Sequence, residues 1–257
     1  GLLLSVGFSS IGFIAAITVT VLAAREVSNN PLFLGFPNAV GVGGAFLGTQ
    51  MFYKISKKYS RLAALSLTFF LCALGSVVLF YSLIVDSFIL LMIGALILGF
   101  GQSATLQSRY AASFVASENF KATALSLAVW FSVFGSVFGP RLVSVYSDYF
   151  DNLFSSELIV GYIVAMVGML FASASVLTFT TSNSSLREPA EVEQVAEKAI
   201  ESKKDGNILT LLLVLNHFTM VVIMSATPLH VQDIGETVEL VGVIISYHTL
   251  GMFLLSP

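Results

Sequence analysis

Long apolar runs separated by short polar breaks dominate this sequence, and each run is continuously hydrophobic rather than alternating between apolar and polar positions. A helix needs about 20 apolar residues to cross the hydrocarbon core of a bilayer, whereas a membrane-spanning strand alternates. The pattern predicts eight transmembrane helices, at residues 2–24, 33–53, 62–84, 87–108, 122–146, 158–181, 207–229 and 239–257. The predicted fold class is therefore an all-α membrane protein, a polytopic helical bundle.

The composition agrees with a chain that uses lipid as its main solvent. Of the 257 residues, 56% are hydrophobic and 11% are charged, and the mean hydropathy is +0.90. Soluble domains carry about 25% charged residues, so this chain has too few polar groups to cover a globular surface in water. The single cysteine, Cys72, lies inside an apolar run, which excludes a disulfide or a multi-thiolate metal site within this chain. We expect no cofactor, no metal and no nucleic-acid partner.

One of the polar breaks is much longer than the others. Residues 182–206 are polar and charged throughout and are predicted to form a cytoplasmic linker between a six-helix N-terminal bundle, 1–181, and the first two helices of a second bundle, 207–257. A duplicated six-helix unit is the ground plan of many secondary transporters. Because the chain starts at Gly1 and stops at Pro257 inside an apolar run, we expect a longer protein truncated after its eighth helix. The remaining helices of the C-terminal bundle are then expected partners of this chain.

Positive charge is concentrated in the loop at residues 53–61, and basic loops face the cytoplasm. If this loop is cytoplasmic, alternation of the spans puts ten of the twelve basic residues on the same side. The ten are Lys54, Lys57, Lys58, Arg61, Arg109, Lys121, Arg187, Lys198, Lys203 and Lys204. Only Arg25 and Arg141 fall on the other side. The bias predicts a cytoplasmic N-terminus and linker, in the cytoplasmic (plasma) membrane.

Five polar residues lie within the apolar runs and are candidates for a substrate or ion pathway: Gln102, Gln107, Asn216, His217 and His248. Such side chains are costly in hydrocarbon and are expected to face the protein interior or a wet cavity. The two glutamines either line a pathway or form hydrogen bonds between helices. Each histidine either exchanges protons during transport or stays neutral with a partner on a neighbouring helix.

Glycine and proline patterns indicate where helices approach or bend. The glycines around Gly44 predict tight helix packing, with a moving hinge or an oligomer contact as the alternatives. In the fifth span, Gly135 and Gly139 share a face, and Pro140 is expected to bend the helix near its outer end. Pro37 is expected to bend the second span in the same way.

Five basic residues are predicted to fix the topology or to act at a cytoplasmic gate: Lys54, Lys57, Lys58, Arg61 and Arg109. Arg109 follows the fourth apolar run. It is either an anchor that extends to the membrane surface or one partner in a charge network that closes the inner gate.

The loop between the second and third spans resembles the corresponding loop of the major facilitator superfamily (MFS), which reads Gly-x-x-x-Asp-Arg-x-Gly-Arg-Arg. Lys54 stands for the first arginine, and Lys57 and Lys58 stand for the last pair. Tyr53 occupies the position of the acid, so the carboxylate of the family's cytoplasmic gate is missing here.

The fifth span resembles the Gly-x-x-x-Gly-Pro signature of drug/proton antiporters in that superfamily, through Gly135, Gly139 and Pro140. The resemblance implies a secondary active transporter that moves a small solute by alternating access, with proton-coupled efflux of an amphipathic compound as its more specific form. A small-molecule substrate, protons and the lipid bilayer are then its partners. The alternatives are a transporter-like sensor or scaffold without flux, and an intramembrane enzyme. The sequence contains none of the usual metal or nucleophile motifs of such an enzyme.

Overall fold

The computed structural model describes residues 1–28, 30–154, 156–180 and 203–253. The helices are α1 (Leu2–Val27), α2 (Phe36–Lys58), α3 (Arg61–Ile84), α4 (Phe88–Val115), α5 (Lys121–Phe154), α6 (Ile159–Thr180), α7 (Lys203–Asp233) and α8 (Val238–Phe253), with 3-10 turns at Pro31–Phe33 and Glu118–Phe120. Within these ranges, seven helical segments are long and apolar enough to cross a membrane, and Val238–Met252 is a shorter apolar helix. The all-helical prediction is confirmed, whereas most of the predicted linker, residues 181–202, lies outside the described residues.

Several helices extend beyond the apolar runs that predict them. Helix α4 continues to Val115, α5 continues through Pro140 to Phe154, and α7 already begins at Lys203, inside the predicted linker. An apolar run marks only the part of a helix that lies in hydrocarbon, and its backbone hydrogen bonds continue into the polar flanks. The prediction that Pro37 bends the second span is wrong. Pro37 lies in the first turn of α2, where a proline removes no helical hydrogen bond.

The first six helices form one bundle, in which α1 contacts each of the other five. Helix α1 packs against α4, α5 and α6, α3 packs against α4 and α6, and α2 packs mainly on α4. Val19, Leu65 and Tyr162 belong to the main hydrophobic core and are fully buried. The opposite face of α2 is exposed, with Phe46 and Leu47 among its uncovered side chains.

Glycines allow several of these helix pairs to approach at backbone distance. A Cβ atom at Gly44 of α2 would overlap the carbonyl group of Leu96 on α4. On α5, a Cβ at Gly139 would lie 2.7 Å from the carbonyl oxygen of Ile11, and Gly135 is equally close to α1. The interpretation of the Gly44 region as a tight packing surface is supported, and the two α5 glycines serve the same purpose toward α1.

Helices α7 and α8 are attached to the bundle unequally. Helix α8 packs along α5, where a Cβ at Gly242 would lie 2.8 Å from the carbonyl oxygen of Pro140. Helix α7 meets the rest mainly through a small apolar cluster that includes Ile14 of α1 and Val231. All side chains of residues 206–216, the first half of α7, are exposed. Helix α7 is therefore the least buried helix in the described part of the chain.

We call the end of the bundle that carries the basic loop at residues 53–61 the basic end. The opposite end, where α1 stops at Val27 and α7 stops at Asp233, is called the acidic end.

Candidate functional site

A cavity of about 370 Å³ lies between the six-helix bundle and α7 and α8. Its wall is mainly apolar: Phe13, Ile14, Ile17, Val42, Ala95, Leu98, Leu106, Met220, Val221, Met224 and Met252. Methionines come from both α7 and α8, and their flexible thioethers adapt to ligands of different shapes. A wall of this kind suits an organic solute with a substantial apolar body.

Polar side chains interrupt the apolar wall at separate points: Ser10, Thr20, Asn38, Gln102, Thr105, Arg109, Ser132, His217, Ser225 and Thr249. The ionisable members of the wall are Arg109 and His217, and no carboxylate of the described chain belongs to it. Of these two, the arginine side chain keeps its charge in proteins.

Arg109 lies where three helices of the bundle converge. Its Nη2 donates to the hydroxyl of Ser132 on α5, at 3.0 Å. One turn earlier on α4, the hydroxyl of Thr105 donates to Ser9 of α1, also at 3.0 Å. The hydroxyl of the next residue, Ser10, is buried in the cavity wall without a hydrogen-bond partner in the described structure. Residues of α1, α4 and α5 thus form one polar corner of the cavity.

The structure places two of the five predicted pathway residues at the cavity, Gln102 and His217. Gln107 instead accepts a 3.4 Å hydrogen bond from Nη2 of Arg61 and connects α4 to α3. Gln107 thus forms a hydrogen bond between helices, whereas a pathway role for Gln102 stays a prediction. Asn216 and His248 are exposed and do not line the cavity. Successive residues of a helix differ by about 100° in direction, so a sequence run does not show which neighbour faces inward.

Arg109 also lines the cavity, and its role as an anchor or as part of a cytoplasmic gate stays a prediction. The polar residues of the wall that the sequence did not indicate are Ser10, Thr20, Asn38, Thr105, Ser132, Ser225 and Thr249. Serine and threonine often bond their own helix backbone, as Thr249 does with the carbonyl of Ile245, so their presence in an apolar run carries little signal.

At the acidic end, polar contacts connect α7 to the bundle. The amide nitrogen of Asn38 on α2 donates to the hydroxyl of Ser225 at 2.7 Å. Further out, Arg25 of α1 forms a salt bridge with Asp233. The cavity is thus bounded at its acidic end by contacts between the first two helices and α7.

The sequence-family model described as Major Facilitator Superfamily matches residues 2–257 of this chain. The chain belongs to this superfamily. It is an integral membrane protein.

The chain is 30% identical to the uncharacterized MFS-type transporter YdeG of Bacillus subtilis, over 96% of this chain and 60% of that protein. It is 28% identical to a second such transporter of that bacterium, YddS, over 97% of this chain and 60% of that protein. The riboflavin transporter RfnT of Brucella anthropi is 22% identical, over 90% of this chain and 58% of that protein. The chain thus spans about three-fifths of the length of these relatives. No solved structure matches it significantly.

The superfamily's loop at the basic end has aromatic contacts here. The ammonium group of Lys57 lies 4.7 Å from the ring centroid of Tyr53, the residue at the position of the family's acid. The guanidinium of Arg61 lies 4.5 Å from the ring centroid of Phe114 on α4. Lys54 and Lys58 are exposed. The ring faces therefore attract the cations where the family has a carboxylate, and a gating role for this loop stays a prediction.

Proposed function

We propose that this chain is part of a secondary active transporter of the plasma membrane, which moves a small amphipathic solute by alternating access through the cavity. The observation that carries the proposal is the cavity itself. Its wall combines a continuous apolar surface with a few polar points, and it lies between the six-helix bundle and the two following helices. Secondary transporters bind their substrates at such an interface between two bundles, near the middle of the membrane.

The described state fits a cavity that is accessible from the basic end. The support for this state is the pair of polar contacts that connect α7 to the first two helices at the acidic end. Exposure of the cavity to the other side requires separation of Asn38 from Ser225 and of Arg25 from Asp233. A neutral hydrogen bond contributes about 1 kcal/mol net, and an exposed ion pair contributes about 0.2–1 kcal/mol. Both contacts are weak enough to break in each transport cycle.

The coupling ion in this proposal is the proton, and His217 is its carrier within the described cavity. An imidazole can gain or lose a proton near neutral pH, and Arg109 is the other ionisable group of the cavity wall. Protonation of His217 would add a second positive charge opposite Arg109, which would favour a change of state or of ligand occupancy. The direction is efflux, as the resemblance of the fifth helix to drug/proton antiporters suggests.

Transport in proteoliposomes made with the complete reading frame tests this function. Riboflavin is a suitable first solute because one relative is a riboflavin transporter, and neutral and charged naphthalene derivatives extend the panel. An acidic lumen is expected to drive accumulation of a solute, with release of protons reported by an external pH dye. Solute binding without accumulation would instead support a sensor, and absence of both would refute the proposed function.

Two histidine variants separate the proton site from a general effect of mutation. His217→Ala is expected to remove the dependence of uptake on pH between about pH 5 and 8. His248→Ala is the matched control, because this residue is exposed and lies outside the cavity wall. Unchanged pH dependence in His217→Ala would exclude this residue from the coupling mechanism.

The orientation has its own test. A cysteine that replaces exposed Lys57, in a background where Cys72 is serine, is expected to react with a membrane-impermeant maleimide only in inside-out vesicles. Reaction in intact cells would place the basic end outside and reverse the proposed topology.

A further inference from the structure

We propose that the substrate of this transporter carries a carbonyl group whose oxygen accepts a hydrogen bond from the hydroxyl of Ser10, which makes Ser10 a specificity-determining residue of the cavity. The inference rests on the proposed function, since it assigns a chemical group of the substrate to the same cavity. It depends on three observations: a buried hydroxyl that lacks a partner, its position in the cavity wall, and the apolar surface that continues from it.

Ser10 is an exception among the hydroxyl-bearing residues of α1. The other four donate to a carbonyl oxygen of their own helix at 2.7–3.2 Å: Ser5 to Leu2, Ser9 to Val6, Thr18 to Ile14 and Thr20 to Ala16. The hydroxyl of Ser10 is buried and has no hydrogen-bond partner within the described residues. A buried donor without an acceptor destabilises a protein, so Ser10 carries a cost that the other hydroxyls of its helix avoid.

Ser10 lies at the boundary between the cavity and the contact of α1 with α5. A Cβ added to Gly135 of α5 would overlap the Cβ of Ser10, so this side of the serine is filled by the neighbouring helix. Among the cavity residues of α1, Ser10 lies nearest to the basic end. A serine side chain has three staggered positions, so rotation about its Cα–Cβ bond can direct the hydroxyl to a ligand in the cavity.

The hydroxyl of Ser10 needs an acceptor on the ligand rather than a donor. A ligand N–H would bond to the lone pairs of the serine oxygen and would leave the O–H of Ser10 without a partner. A carbonyl oxygen accepts from that O–H and thereby removes the cost of the buried donor. The carbonyl group is also uncharged, so its transfer into a mainly apolar cavity needs no counter-charge.

The apolar surface beyond Ser10 gives the ligand an orientation. Phe13, Ile14 and Ile17 continue the α1 wall toward the acidic end. Ile17 follows Ser10 by seven residues, which is about 10 Å along the helix, and this length suits an aromatic body of two fused rings. The apolar body of the substrate would therefore lie along α1, with its carbonyl group at the end nearest to the basic end.

Two probes that differ only at the carbonyl oxygen test the inference: radiolabelled 1-acetylnaphthalene, and 1-isopropenylnaphthalene, in which a methylene group replaces that oxygen. Binding to the detergent-purified protein, made from the complete reading frame, is measured by equilibrium dialysis with and without Ser10→Ala. Because each probe partitions equally into detergent in both assays, comparison of the two proteins removes this effect. Ser10→Ala is expected to weaken binding of the acetyl probe about three- to tenfold, as for one hydrogen bond, and to leave binding of the isopropenyl probe unchanged.

Ser5→Ala is the matched control. Ser5 is fully buried on the same helix, bonds to its own backbone and lies outside the cavity wall, so this substitution should change neither affinity. The thermal unfolding midpoint of the ligand-free protein separates binding from a structural role. Ser10→Ala keeps the Cβ that packs on Gly135 and removes an unsatisfied donor, so its midpoint should be unchanged or higher.

Three outcomes would contradict the reasoning. Equal effects of Ser10→Ala on the two probes, or no effect on either, would overturn the inference and leave the proposed function intact. A lower midpoint for Ser10→Ala than for the unmodified protein would show that its hydroxyl stabilises the fold, and would overturn the inference as well. Binding of neither probe to the unmodified protein would count against the cavity as a solute site, and so against the proposed function.

Discussion

Replacement of Gly44 by alanine should destabilise the bundle, whereas replacement of its neighbour Gly43 should not. Gly44 is buried against α4, and a Cβ there would overlap the carbonyl group of Leu96. Gly43 lies on the exposed face of the same helix and has no atom within 4 Å of an added Cβ. The two substitutions add the same methyl group to adjacent positions of α2, so their difference isolates the contact between helices.

The expected magnitude follows from that contact. The obstacle at Gly44 is backbone rather than a flexible side chain, so α2 must move away from α4 as a whole. Overpacking of this kind costs about 1–3 kcal/mol, and alanine recovers at most about 1 kcal/mol of helix propensity. A change of 1 kcal/mol shifts the midpoint of thermal unfolding by about 2–4 °C in a chain of roughly this size. Gly44→Ala should therefore lower the midpoint by up to about 12 °C, and Gly43→Ala should leave it unchanged or raise it slightly.

The single thiol of the chain provides the assay. Cys72 is 0% exposed and contacts α4 at Gly101, so a maleimide dye reaches it only after the bundle opens. Thermal unfolding of the detergent-purified protein is followed by the fluorescence of the dye, with Cys72 as the single reactive thiol. Equal midpoints for Gly44→Ala and Gly43→Ala would refute the assignment of this glycine to a tight α2–α4 contact.

Two further predictions concern the ends of the bundle. Charge reversal at one partner of the acidic-end ion pair, as Arg25→Glu or Asp233→Arg, should increase the time that the cavity spends open to the acidic end. The measurement is the labelling rate of a cysteine introduced at Ser225, which should rise in each single variant and return to the original rate in the double reversal. At the basic end, Tyr53→Phe should keep the cation–π contact with Lys57, whereas Tyr53→Leu should remove it at a stability cost of about 0.5–1 kcal/mol. Equal midpoints of thermal unfolding for the two variants would show that this contact does not stabilise the protein.

The positions of the helices could be predicted from the sequence because a bilayer requires long apolar runs, and these are visible in the sequence. An unbroken apolar run of about 20 residues has one stable form in lipid, a helix that satisfies its own backbone. The ends were less predictable, since α5 continues through Pro140 to Phe154. A proline removes one donor but does not end a helix that is held by packing on both sides, here by α1 and α8.

The cavity could be predicted only in part. Gln102 and His217 were selected because a polar side chain in an apolar run is costly in hydrocarbon and is expected to face the protein interior or a cavity. The same reasoning selected Asn216 and His248, which are the sequence neighbours of the cavity residues His217 and Thr249. The direction of a side chain depends on how its helix is rotated in the bundle, and that rotation is set by contacts between distant segments. Ser10 was not selected because its distinguishing feature, a buried hydroxyl without a hydrogen-bond partner in the described structure, is visible only in the folded chain.

Arg109 belongs both to the predicted topology of the chain and to the wall of the cavity. It is one of the ten basic residues that the charge pattern predicts on the cytoplasmic side, yet without it nine would still face two, so the predicted orientation of the chain does not depend on it. Its position in the cavity wall is therefore not needed for the predicted topology. The helix opposite, α7, is the least buried one and is connected at the acidic end by weak polar contacts. In the proposed alternating-access mechanism, the contacts that must separate to open the acidic end are therefore Asn38–Ser225 and Arg25–Asp233, both between α7 and the first two helices.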